Sequence, residues 1–422
     1  MEKYRFLIPI LCVTFLTACN TKLGQIFSQA GYEGYKNNLE NSAIGKSFAV
    51  ERWLKEAANA KQNPQFLQAG QSVAGHFTPA SVMAQAFAIQ GKKGQRIAID
   101  LVWNPLDTSA RLFAELYKDQ KRVASWEGGE FLHEFTDNRN LTLFIQPELL
   151  AYGSFSVSVS TKQTVSVFPV LGKDESAIQS FWGASRDGGS RKHEGVDIFA
   201  ERGTPVVSPV KGRVSRVKTG GLGGKTVWVY DNRRGYNLYF AHLDTQMVSL
   251  GTGVKPGDTL GLVGNTGNAK YTPPHLHFGV YDGGAFDPLD YIKTNHPEVR
   301  AEKWSSTDEL MMVTATQNNL RTGPSTKSDI LETVGRNEVF QLLAKRGDWF
   351  YVKQIMNSMK GWLHQSLLSE ISFTKESFDN QYIHIYGSAD SLLWRGEEAF
   401  KVAKLSEEQK LLQSGAGELF EK

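Results

Sequence analysis

Cysteine is nearly absent from the chain. Two occur in 422 residues, Cys12 and Cys19, both close to the N-terminus. The body of the protein therefore holds no disulfide, and a metal bound there must take imidazole, carboxylate or carbonyl donors. Excess charge of one sign is missing too. Lysine and arginine number 47 against 44 acidic residues, a net charge of +3. That near-balance lacks the basic footprint of nucleic-acid binding, so no nucleic-acid partner is expected. No His-Glu-x-x-His run is present. Its absence excludes the mechanism in which a helical glutamate acts as base beside two helical histidines. Glycine, by contrast, is plentiful at 40 residues, and short Val/Ile/Phe runs recur between glycines. Together they predict a mainly β protein with many turns.

Read in order, the chain divides into six stretches. Lys3 and Arg5 precede the apolar run Phe6 to Leu16, which is too short to span a bilayer. Leu16-Thr17-Ala18-Cys19 follows and resembles the lipobox of bacterial lipoproteins. The resemblance implies a signal peptide over 1–19 and a lipidated Cys19 that anchors the chain to a membrane. Asn20 after that cysteine implies the outer membrane, facing the periplasm. Residues 20–64 form a helical segment: Leu39, Ile44, Phe48, Val50, Trp53 and Leu54 recur at helical spacing before Asn63-Pro64 ends the run. Residues 65–164 alternate at a period of two, most strictly in Ser154-Phe155-Ser156-Val157-Ser158-Val159-Ser160, and predict a β-sandwich. Residues 165–300 carry the chemistry. Residues 305–372 hold short strands such as Val339-Phe340-Gln341-Leu342-Leu343 and Trp349-Phe350-Tyr351-Val352-Lys353. This succession resembles a bacterial SH3-like barrel. Residues 373–422 form a C-terminal extension, where Phe400, Val402, Ala403 and Leu405 suggest one amphipathic helix.

Four of the nine histidines lie between positions 193 and 277. In Pro274-His275-Leu276-His277-Phe278-Gly279-Val280, a period of two puts His275 and His277 on one strand face and Leu276, Phe278 and Val280 on the other. The second face is core. The first can aim two imidazoles at one point above a sheet. His193-Glu194-Gly195-Val196-Asp197 sets an imidazole and a carboxylate four residues apart at the start of an apolar strand. Tyr239-Phe240-Ala241-His242-Leu243 ends another strand with a histidine. His76, His133, His296, His364 and His384 have no such company and read as ordinary polar residues.

These elements, with Gly203-Thr204-Pro205-Val206, Gly264-Asn265-Thr266-Gly267 and Asp287-Pro288 around them, resemble the lysostaphin/LytM-type zinc metalloendopeptidases. The longer stretch Asn268 to Thr272 is a departure that reshapes one cleft wall without removing a ligand. The resemblance implies a central antiparallel β-sheet peptidase domain. It implies His193, Asp197 and His277 as ligands of one Zn²⁺, and His242 and His275 as catalytic residues sharing base, acid and oxyanion roles that the sequence does not divide. Two neutral imidazoles and one carboxylate leave a four-coordinate zinc an open position, as catalytic zinc requires. The implied activity is hydrolysis of peptide cross-links in bacterial peptidoglycan, at D-alanyl-meso-diaminopimelate in a cell with an outer membrane. Two alternatives stand beside it. One is a non-catalytic LytM-like regulator of cell-wall amidases. The other is a non-haem iron oxygenase, which also uses two histidines and a carboxylate. No feature of the sequence sets the oligomeric state.

Overall fold

The computed structural model describes residues 31–78, 83–304 and 310–371, together with the backbone of five short strands between 383 and 421. The expected signal peptide and Cys19 lie outside the described residues.

The helical segment is two helices, Tyr32–Glu40 and Phe48–Gln62, where one run of helical spacing was expected. Gly45 explains the break. A Cβ there would fall onto the carbonyls of Leu39 and Glu40, so the chain folds back tightly. Ser47 then caps the second helix by accepting from the Val50 amide. Tyr32, Tyr35, Trp53 and Ala57 pack on Phe113 and Phe144 of a β-sheet.

That sheet has five strands in the order Gln65–Phe66, Gln85–Ile89, Leu141–Pro147, Leu112–Lys118 and Lys121–Trp126. It is apolar on both faces. Phe113 and Phe144 meet the helices, while Leu112, Leu143 and Ile145 meet a second sheet. The second sheet contains Gln71–Phe77, Gly153–Lys162, Arg96–Pro105 and Gly129–Glu134. Val73, Ile97, Phe155, Val157 and Val159 close the shared core.

The barrel at 310–371 has its own core of Val313, Leu320, Phe340, Leu342, Val352 and Leu363. It is less separate than the sequence suggests. Its strand Val339–Arg346 pairs with Gln71–Phe77 through Ala74 opposite Lys345 and Gly75 opposite Ala344, so one sheet runs through both units. The register of this strand against Trp349–Gln354 shifts between Leu342 and Ala344. Leu342 consequently enters the barrel core, whereas Leu343 and Ala344 enter the sandwich core.

The C-terminal extension corrects an expectation. Glu398–Val402 is a strand of a five-stranded antiparallel sheet, not part of a helix. Phe400 and Val402 stand two apart, the spacing of one strand face rather than of one helix face.

The central domain is built on an eight-stranded antiparallel sheet in the order Ile178–Ser180, Val196–Phe199, His275–Tyr281, Asn237–Leu243, Lys225–Asp231, Gly212–Thr219 and Gly253–Val254, with Ala285–Phe286 also paired to His275–Tyr281; a three-stranded sheet of Pro205–Val207, Thr259–Leu262 and Thr245–Gln246 accompanies it. Val196, Ile198, Leu238, Phe240, Leu276, Phe278 and Val280 bury one face. A short helix, Leu289–Ile292, adds Tyr291 and Ile292 to that core. The other face is open and carries the histidines. Arg234 ties the domain to the sandwich: it is ion-paired with Glu134 and Asp231 and donates to the Thr164 carbonyl at 2.7 Å.

Candidate metal centre

Sheet register places the first donors. Asp197 lies directly opposite His277 on the neighbouring strand, and Ala241 lies opposite His277 on the other side. Phe199 stands opposite His275. One crosswise row therefore holds Asp197 and His277 with only a methyl group beside them, and His275 occupies the next row.

His193 comes from outside the sheet. Its backbone is pinned by hydrogen bonds to Gly183 and Ala184, which swing the ring over Asp197. Nε2 of His193 and Nδ1 of His277 each lie 3.0 Å from Asp197 Oδ1 and 2.9 Å from one another. His193 and Asp197 are buried, and His277 is nearly so.

His242 reaches the same face by a different route. Strict alternation from Tyr239 would send it to the core side with Phe240. The pairing with Lys225–Asp231 instead slips, with Val227 opposite Phe240 but Lys225 opposite Leu243. His242 takes up the irregularity at a left-handed φ of 62°. A bulge of this kind re-aims one side chain and restores the alternation after it. Leu243 is accordingly back in the core, while the His242 ring lies 5.2 Å from that of His275.

Backbone carbonyls settle the tautomers. Nδ1 lies 2.9 Å from the Phe181 carbonyl in His193, from Thr266 in His242 and from Pro273 in His275. A carbonyl only accepts, so Nδ1 carries the proton in all three and Nε2 is the free lone pair. Phe199 stacks on His275 at 5.0 Å and holds its ring plane.

The electrostatics follow from these contacts. Burial pushes the Asp197 carboxyl up, but hydrogen bonds and charge from His193 and His277 outweigh it and hold the group well below the usual carboxylate range. Burial, reinforced by the charge of His277, pushes His242 down to about 4. His277 is also lowered, first by burial.

The donor set fits a small divalent cation. Zinc ligands about 2 Å from a tetrahedral centre lie roughly 3.3 Å apart. The three donors here stand 2.9 to 3.0 Å apart. They form the one group of three or more His, Cys, Asp or Glu side chains with metal-ligand proximity among the described residues. They floor a cleft of about 440 Å³ that Arg186, Leu222, Tyr239, His242, His275 and Tyr281 also line.

Of the residues singled out in the sequence, His193, Asp197, His242, His275 and His277 all come to this cleft. His76, His133, His296 and His364 are not among its lining residues. The sequence reading passed over Arg186, whose Nη2 lies 2.6 Å from Asp197 Oδ2. Nothing set it apart from Arg191 and Lys192, the other cations of the turn-rich stretch before His193.

Converging donors at the floor of an open cleft, with free imidazole lone pairs beside them, make a candidate metal site on a β-sheet domain. Comparison with known proteins names it. Residues 191–288 match the Peptidase family M23 model and residues 315–369 match the Bacterial SH3 domain model. The chain thus carries an M23 peptidase domain followed by a bacterial SH3 domain. An L-Ala--D-Glu endopeptidase from Bacillus subtilis (strain 168) is 38% identical over 139 residues, covering 30% of this chain and 42% of the relative. The peptidoglycan DD-endopeptidase ShyC of Vibrio cholerae serotype O1 is 33% identical over 88 residues, covering 21% of this chain and 20% of the relative. The catalytic domain of lysostaphin from Staphylococcus simulans is 30% identical, with 27% of this chain and 90% of that chain covered and a TM-score of 0.25. The chain thus spans less than half the length of each of these two curated relatives.

Proposed function

We propose that this protein is a zinc-dependent endopeptidase that hydrolyses peptide cross-links of bacterial peptidoglycan. The observation that carries the reading is the convergence of His193, Asp197 and His277 within about a hydrogen-bond length of one another, beside two imidazoles with free Nε2 atoms. Those three residues would hold the ion. Zinc bound there supplies Lewis-acid chemistry, polarising a carbonyl and making water more acidic.

The chain's own residues do the rest. His242 and His275 keep their Nδ1 protons on backbone carbonyls, so each presents Nε2 to the cleft as a proton acceptor. Between them they take the proton from the attacking water and return it to the leaving amine. Once protonated, either can donate to the developing oxyanion. Burial around the site strengthens each of these interactions.

Relatives named for cleaving L-Ala–D-Glu bonds and for DD-endopeptidase activity support peptidoglycan as the substrate. The bond we assign is D-alanyl-meso-diaminopimelate. We place the protein in the cell envelope, tethered through Cys19 to the outer membrane and facing the periplasm. A relative named as a lipoprotein, YgeR of Escherichia coli (strain K12), is 34% identical over 110 residues and supports a lipid tether.

Digestion of purified sacculi followed by muropeptide mass spectrometry tests the assignment. Loss of cross-linked dimers, abolished by chelator and restored by zinc, is expected. Intact sacculi together with stimulation of a cell-wall amidase would replace the reading with a regulatory one.

A further inference from the structure

Asp197 has two oxygens, and they face different partners. Oδ1 points to His193 and His277, at 3.0 Å from each. Oδ2 accepts from Arg186 Nη2 at 2.6 Å. The same Nη2 donates to Ser180 Oγ at 2.7 Å. Arg186 itself is held by a small hairpin, Ser185–Arg186 paired with Arg191–Lys192, whose far end leads directly into His193. The guanidinium is therefore built into the segment that delivers one metal donor while it grips a second. The carboxylate side chain is nine-tenths buried and the guanidinium about two-thirds buried, so the pair is only weakly screened.

A carboxylate can bind zinc through one oxygen or through both. Both would use up the position that the substrate or water needs, since a catalytic site keeps one place open. A charge-assisted hydrogen bond from arginine is short and directional, and it competes for one of the two oxygens. We propose that Arg186 is a positioning residue that reserves Oδ2 of Asp197, so that this carboxylate contributes a single oxygen to the metal. The inference rests on the metal-site reading above. It adds a role for a residue outside the three donors and the two catalytic histidines. Arg186 also places a positive charge beside the only anionic donor. That charge reduces how much of the ion's own charge the ligand set cancels.

The test uses the full chain with Arg186→Gln and Arg186→Lys, loaded with cobalt(II) as a spectroscopic stand-in and with zinc for turnover. Partners of metal-bound carboxylates typically change metal affinity or activity by about 10–100-fold when removed. Arg186→Gln is expected to keep its affinity for metal within about 3-fold, in contrast to loss of a donor. Its cobalt absorption is expected to weaken, the signature of a higher coordination number, and kcat to fall by about 10–100-fold. Arg186→Lys retains a cationic donor and is expected to recover part of both signals. Thermal unfolding of the metal-free variants identifies any that fail to fold.

An Arg186→Gln protein with an unchanged cobalt spectrum and unchanged kcat overturns the inference while leaving the metal site standing. An Arg186→Gln protein that folds but binds metal far more weakly also overturns it, because Arg186 would then support binding itself. Wild-type protein that takes up no cobalt or zinc overturns the metal-site reading, and this inference with it.

Discussion

Four imidazoles and the Asp197 carboxylate stand together in the cleft, yet their surroundings set them different tasks. His277 sits in the strand row with Asp197 and presents Nδ1 to it at 3.0 Å, whereas the Nε2 of His275 stands farther off, 4.0 Å from the same oxygen, and its ring stacks on Phe199. Substituting them should separate binding from catalysis. His277→Ala is expected to lose stoichiometric zinc and turnover together. His275→Ala is expected to keep the metal and lose about 10²–10⁴-fold in kcat, the range for removing a general acid or base. Metal analysis of dialysed protein beside sacculus digestion checks both, and full turnover by His277→Ala would refute the ligand assignment.

His242 gives a pH signature. Its folded pKa of about 4 lies below the ordinary histidine value. Between roughly pH 6.5 and 4 the unfolded chain binds a proton that the folded one refuses. Stability contributed by the neutral ring is complete above that window and is lost as pH falls through it. In metal-free protein the loss attributable to His242 should approach about 3 kcal/mol at pH 4, since one pKa unit is about 1.4 kcal/mol. Urea unfolding from pH 7 to 4 should show a shallower decline for His242→Gln than for wild type.

Elements decide how much of this was legible in the sequence. The pair His275 and His277 was readable because alternation in their strand is unbroken, with Leu276 and Phe278 fully buried behind them. Asp197 was readable on the same ground, as the polar member between Val196 and Ile198. His242 was identified by its company, but its direction was not readable, because a bulge reverses the parity that the pattern Leu238-Tyr239-Phe240-Ala241 sets up. Arg186 was invisible because a hairpin of two-residue strands has no periodicity to read. The strand at Glu398–Val402 reads as helix only when Phe400 is taken with Ala403, three residues on; the two-residue step from Phe400 to Val402 fits a strand face.

The bulge depends on a neighbour with no side chain. A Cβ on Gly264 would fall onto the backbone of Asp244 and the His242 carbonyl, and Gly264 also bridges to His275. Gly264→Ala must therefore push apart the two segments that carry both catalytic imidazoles. Overpacking of this kind costs about 1–3 kcal/mol. The variant should melt lower and lose turnover, while zinc affinity falls less than in His277→Ala, because His193 and Asp197 lie on other segments and only His277 shares a strand with His275. A Gly264→Ala protein with wild-type kcat would show that the cleft tolerates the displacement.

At the scale of the whole molecule, the cleft and its supports are separate. Its lining residues run from Ser180 to Tyr281, all within the peptidase domain. Among the described residues, none from the sandwich or the barrel lines the cleft. What those units share is a sheet. Leu343, almost fully buried, belongs in sequence to the barrel and in packing to the sandwich, where it joins Val73, Phe77 and Phe155. The Leu343 carbonyl also accepts from Gln85 Nε2 at 2.9 Å on the opposing sheet. Sandwich and barrel are thereby expected to unfold as one cooperative unit. Leu343→Ala removes a buried side chain at that junction and should cost about 2–5 kcal/mol. Hydrogen exchange read on Gln71–Phe77 and on Trp349–Gln354 checks the coupling. Protection should fall by a similar factor in both strands, although only the first lies in the sandwich. Loss confined to Gln71–Phe77, where the Leu343 side chain packs, would mean that the shared sheet joins two independently stable units. The peptidase strands, which meet the sandwich through Arg234 and its partners rather than through a common sheet, should keep their protection in the same experiment.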